Sequence, residues 1–164
     1  MSEIIAGVRI PDSGLANDVT QLIRDTTSSL IYHHSRRVFL FGSLQARHLG
    51  IQPDAELLYA AALFHDTGLV DPYRGITQRF EMDSADTAKG FLRARGFSEQ
   101  ETTLVWTAIA LHTTPEVPYK MAAEVAATTA GVETDVLGIE LDRLRIEDVD
   151  AVTCLLYTSP SPRD

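Results

Sequence analysis

Leu57-Leu58-Tyr59-Ala60-Ala61-Ala62-Leu63-Phe64-His65-Asp66-Thr67-Gly68 is the segment from which the architecture follows. Pro53-Asp54 restarts the chain just before it, and Leu57, Leu58, Ala61, Ala62, Leu63 and Phe64 leave almost no polar face. A helix apolar on most sides belongs in the middle of a bundle rather than on its surface. It runs directly into His65-Asp66, so ionisable groups stand at the end of the most buried helix. Burying them without partners would cost several kcal/mol. A metal ion would supply the compensating charge. A helix end emerging into solvent would need none, with His65 then favoured by the helix dipole.

Working outward, helix signals recur on both sides. Ile4 to Ile10 is an apolar stretch that suits an extended arm. Asp12 or Ser13 caps a helix carrying Leu15, Val19, Leu22 and Ile23 to about Ser28. A second helix runs from Leu30 to about His48, with Val38, Phe39, Phe41 and Leu44 as its apolar residues and Gly50 as its stop. Beyond the central helix, Asp71-Pro72-Tyr73-Arg74-Gly75 reads as a loop. Ser84 is the expected cap of a helix through Ala94, closed by Gly96. Ser98-Glu99-Gln100-Glu101 is a capping-box pattern opening a helix with Leu104, Trp106, Ile109 and Leu111. Pro115 and Pro118 interrupt the chain, a helix covers about Lys120 to Leu137 up to Gly138, and another begins at Glu147 to Ala151.

No sustained period-2 alternation and no Asn-Gly turn appear, so the fold expected is all-α, with six or so helices and short connections. One domain over residues 1–153 suffices, as no linker or repeat divides it. Cys154 to Asp164 resembles the in-frame translation of a transposase sequencing adapter over all eleven residues. On that resemblance the tail is not native, and a C-terminal portion is expected to be missing after Thr153.

The bulk composition narrows the partners. The 164 residues are 45% hydrophobic and 23% charged, with a formal net charge of −9. Nucleic-acid backbones and anionic membranes call for a basic face, so neither is an expected partner. No apolar run approaches the ~20 residues that span a bilayer, and Met1 to Ala6 lacks the pattern of a signal peptide. A cytoplasmic protein acting on a small molecule is expected, and a homo-oligomer is compatible with it. The single cysteine, Cys154, excludes an intramolecular disulfide and a thiolate cage.

Five histidines remain as candidate chemistry: His33, His34, His48, His65 and His112. Imidazole with carboxylate suits borderline divalent metals. His34-Ser35-Arg36-Arg37-Val38 precedes His65-Asp66-Thr67-Gly68 by a helix and a turn, and Asp135-Val136-Leu137-Gly138 follows on a late helix. This order, His … His-Asp … Asp, resembles the HD superfamily of metal-dependent hydrolases over roughly Leu30 to Gly138. Phe41-Gly42, Arg79-Phe80-Glu81, Trp106 to Thr113 and Gly131 to Gly138 further resemble its cyanamide hydratase branch, whose type member hydrates cyanamide to urea.

The resemblance implies an HD helical bundle. It implies one divalent ion, Zn or Fe, held by His34, His65, Asp66 and Asp135. His33 is the rival of His34, which is preferred because it directly precedes Ser35. Asp66 is the expected proton acceptor. His112 either moves protons and binds substrate or simply bonds a carbonyl at a helix end. Arg37 either clamps substrate or pairs with Asp54 or Glu81. Glu81 either closes over the site or serves as a helix-start acid. His48, beside Arg47, is expected to be solvated. With only His112 between the HD pair and Asp135, one metal is expected rather than two. A phosphohydrolase would use the same water and need Arg37, Arg74 and Arg79 around the phosphate. A non-catalytic HD ligand-binding module is the third reading.

Overall fold

The structure, a computed structural model, describes residues 2–158. A short hairpin of β1 (Ile4–Ile5) and β2 (Val8–Arg9) leads into α1 (Gly14–Thr26), α2 (Ser29–Leu49) and α3 (Ala55–Phe64). There follow α4 (Phe80–Ala94), α5 (Glu99–Ala110), α6 (Ala123–Leu137) and α7 (Ile146–Thr158), with single 3-10 turns at Thr67–Leu69, Val117–Lys120 and Leu141–Arg143. The all-α expectation holds apart from that hairpin. Its turn residues Ala6 and Gly7 both have positive φ, 53° and 74°. This is the tight mirror-image turn that matches strand twist. Two-residue strands are too short to show alternation, which is why the sequence reads only as an arm.

Buried apolar side chains form a cluster running from Ile5 to Val152, and α3 is its axis. Every residue from Leu57 to Phe64 is buried, and α3 packs against α1, α2, α4, α5 and α6. Asp54 caps it by accepting the Leu57 amide at 2.9 Å.

Helices α2 and α6 make the closest pairing, and glycine is the reason. A Cβ at Gly131 would lie 2.2 Å from the Val38 carbonyl oxygen, and one at Gly42 would lie 2.6 Å from that of Ala127. Only a bare Cα permits backbones so close. Residues four apart share a helix face, so one turn beyond the Val38–Gly131 contact His34 meets Asp135. The glycine contacts therefore set the register of two candidate site residues.

Expected caps at Ser13 and Ser98 stand, the latter with both halves of its capping box, and Gly50 and Gly138 end α2 and α6 in the left-handed conformation. Ser84 needs correction. Helix α4 starts four residues earlier at Phe80, and the Ser84 hydroxyl instead accepts the Gly68 amide at 2.8 Å. That bond fastens α4 to the turn that follows His65-Asp66. Gly68 must be glycine there, because a Cβ would lie 2.3 Å from the Phe80 carbonyl oxygen. Helix α7 continues through Thr158, and residues 159–164 of the adapter-like tail lie outside the described residues. Among the described residues no helix is long and apolar enough to cross a membrane.

Candidate metal centre

Helix ends create this site. The last carbonyls of a helix have no intrahelical partner, and two histidines exploit that in the same way. His65, just past α3, donates Nδ1–H to the Ala62 carbonyl at 2.6 Å. His112, just past α5, donates Nδ1–H to the Ile109 carbonyl at 2.6 Å. A carbonyl only accepts, so each ring carries its proton on Nδ1 and leaves Nε2 as a bare donor atom. His34, inside α2, is held by a carboxylate instead, with Nδ1 2.7 Å from Asp135 Oδ2. All three imidazoles are thus fixed by Nδ1 with Nε2 turned towards the other site residues, the orientation that outer contacts give metal-binding histidines.

The atoms that converge are His34 Nε2, His65 Nε2 and Asp66 Oδ2. They stand 3.1, 3.4 and 3.3 Å apart (His34–His65, His34–Asp66 and His65–Asp66). Ligand atoms about 2.0–2.1 Å from a tetrahedral zinc lie about 3.3–3.4 Å from one another, so the triangle has the size of one coordination face. These three residues form a group able to hold a metal ion. Asp66 Oδ1 turns the other way, 3.7 Å from His112 Nε2. The ring of His65 lies between those of His34 and His112, with centroids 5.0 and 4.9 Å away.

The charges fit a cation. Burial alone would lower the pKa of His34, but its bonds to Asp135 and Asp66 outweigh this and raise it to about 9. Burial would raise Asp66, yet His65 and His34 hold it well below the carboxylate range. Asp135 is lowered in the same sense, burial being overcome by His34 and Arg37. Two carboxylates around one imidazole call for positive charge between them, which a proton or a divalent ion supplies. His112 behaves differently. Burial and the neighbouring His65 lower it to about 4, so it stays neutral.

Each expected site residue has a place. His34, His65 and Asp66 come together, whereas His33 faces Tyr32, with ring centroids 5.3 Å apart. Asp135 reaches the cluster from behind His34, with its other oxygen accepting Arg37 Nε–H at 2.8 Å. Arg37 therefore pairs with Asp135, neither with Asp54 nor with Glu81. Glu81 lies buried in the first turn of α4, paired with Arg79 at 2.7 Å and accepting the Thr113 hydroxyl at 2.5 Å. Those contacts bring its pKa down to about 2, the Arg79 bond outweighing burial. His48 is exposed. Sequence reasoning gave no role to Thr113 or Phe80. Thr113 follows His112 and ties it to α4, and the Phe80 ring stands 5.6 Å from that of His112. The available signal was that Phe80 stands beside Glu81 in one motif and Thr113 beside His112 in another.

A helical bundle that gathers His34 from within α2 and His65 and Asp66 from the end of α3 around one cation-sized face defines a class, the all-α proteins able to hold a metal ion. The chain belongs to the HD-domain family, whose profile matches residues 31–152. No curated protein sequence matches it.

Proposed function

We propose that this protein adds water to a small nitrile-like substrate such as cyanamide, using one divalent ion at His34, His65 and Asp66, while Asp135, expected as a fourth ligand, holds His34 through Nδ1. The observation that carries the reading is the bare His112 Nε2 on the far side of the metal-facing carboxylate. A bound Zn or Fe ion would lower the pKa of a water towards ~7 and polarise the electrophilic carbon. The remaining steps belong to side chains. Asp66, with Oδ2 on the ligand face and Oδ1 towards His112, orients that water. His112 Nε2, unprotonated in the tautomer its carbonyl bond enforces, accepts the water proton and returns it to the substrate nitrogen. The first product is the isourea, and its remaining O–H proton moves to nitrogen as it tautomerises to urea. Both hydrogens of the water end in the product, so no further reactant is needed.

Phosphohydrolysis, the main alternative, fits less well. Its three expected phosphate-binding arginines are committed elsewhere: Arg37 to Asp135, Arg79 to Glu81, and Arg74 to the Leu69 carbonyl at 2.9 Å. Elemental analysis followed by parallel assays of cyanamide and a nucleoside monophosphate tests the choice. About one ion per chain, absent from His65→Ala, with urea produced from cyanamide, supports the proposal. Two ions per chain with phosphate release would move the reaction to phosphohydrolysis. A folded protein that takes up no ion would leave a binding module.

A further inference from the structure

A second polar cavity of about 190 Å³ lies where the N-terminal hairpin crosses α1, α2 and α3, lined by Glu3, Thr20, Arg24, Tyr32, Arg36 and Tyr59 among others. At ~30 Å³ per water it has room for about six. It is separate from the metal centre. Tyr32 and Arg36 occupy one face of α2, and His34, two residues from each, occupies the opposite one.

The donors are built in and incompletely used. Arg24 and Arg36 both stand over the Tyr32 ring, 5.2 and 5.9 Å from its centroid. The Tyr32 hydroxyl oxygen accepts from Arg24 at 2.9 Å, which leaves its own O–H to donate. Thr20 donates to the Ala16 carbonyl, so Tyr59, 2.5 Å away, donates to Thr20 and closes the wall. Arg36 is the unfinished member. One terminal nitrogen pairs with Glu3 at 2.8 Å, while its buried Nε–H has no hydrogen-bond partner among the described residues. A guanidinium edge is shaped for two parallel bonds to one oxyanion. Glu3 satisfies only one, from a hairpin position where its side chain is 57% exposed.

We infer that this cavity is a binding site for a small oxyanion, a carboxylate or a phosphate, which displaces Glu3 and takes both N–H groups of the Arg36 edge. Glu3 is then the internal competitor, a tethered carboxylate that keeps the arginine paired when the ligand is away. Glu3 is the carboxylate to be displaced because it is the one paired with the Arg36 edge, while Asp12, the other acid of the lining, has an interaction of its own.

Titration calorimetry on the whole chain, with acetate and with inorganic phosphate, tests this. Glu3→Gln removes the competitor without touching the core and is expected to tighten binding several-fold. Arg24→Gln is expected to weaken it by about tenfold, as is Arg36→Gln where circular dichroism shows the variant folded. Acetate and phosphate heats distinguish a carboxylate ligand from a phosphate. The inference is overturned if Glu3→Gln binds neither anion at tens of millimolar. Binding that ignores both Glu3→Gln and Arg24→Gln would also overturn it, since the anion would then sit elsewhere.

Discussion

At His112 one hydrogen bond fixes which ring nitrogen faces Asp66. Fixed through Nδ1, the ring presents a lone pair near Asp66, and burial keeps it neutral. His112→Ala should therefore lower kcat by about 10²–10³, within the range for a lost general base, and leave metal content unchanged. A parallel loss of metal would make it a ligand instead. Glu81 gives a second test. Its folded pKa of about 2 lies below the ordinary 4.5. A depressed carboxylate contributes stability above the unfolded value and loses it as pH falls towards the folded one. Wild type should exceed Glu81→Gln in stability at pH 7, by about 1 kcal/mol since exposed Arg79 is screened. The gap should close between about pH 4.5 and 2, and urea titrations across that window would show it. Of these residues the sequence exposes His65 and Asp66 because they end an apolar helix, where polarity is conspicuous. It leaves His112 ambiguous, since a helix-end histidine that bonds a carbonyl and one that serves a site are, here, the same residue.

Between elements, the decisive contact contains no side chain at all. Val38 and Gly131 meet backbone to Cα, and this places Asp135 against His34 one turn away. Gly131→Ala should force α2 and α6 apart, costing about 1–3 kcal/mol or more as overpacking does, and should weaken metal binding by displacing Asp135. Gly90, on α4 with nothing within 4 Å of a built Cβ, is the control. Alanine there should raise stability by about 0.5–1 kcal/mol through helix propensity alone. Melting curves and metal titrations of both variants separate the effects. Equal behaviour would mean that Gly131 has no special role. Most helix limits were legible because caps are local: Ser13, Ser98, Gly50 and Gly138 announce themselves within a turn. Ser84 misled because a hydroxyl that ties two segments together has the same local sequence as one that caps a helix. Gly42 and Gly131 stood in recognisable motifs, but their purpose is a relation between two helices and is invisible in either one.

Across the whole molecule, folding and metal binding draw on the same contacts. The unfolded chain scatters His34, His65 and Asp66, so an ion that binds only the folded cluster stabilises it by RT ln(1 + [ion]/Kd). At an ion concentration a hundred times Kd this is about 2.7 kcal/mol. For a chain of 164 residues each kcal/mol moves Tm by about 2–4 °C, giving a rise of roughly 5–11 °C. His65→Ala should abolish that rise. Because His65 is fully buried, its truncation also lowers the metal-free Tm, so the quantity to compare is the metal-induced increment in each protein. Glu3→Gln should keep the full increment, as Glu3 pairs with Arg36 on the other face of α2. A rise that persists in His65→Ala would place the stabilising ion away from the helix-end cluster, and the mechanism built on it would fail with it.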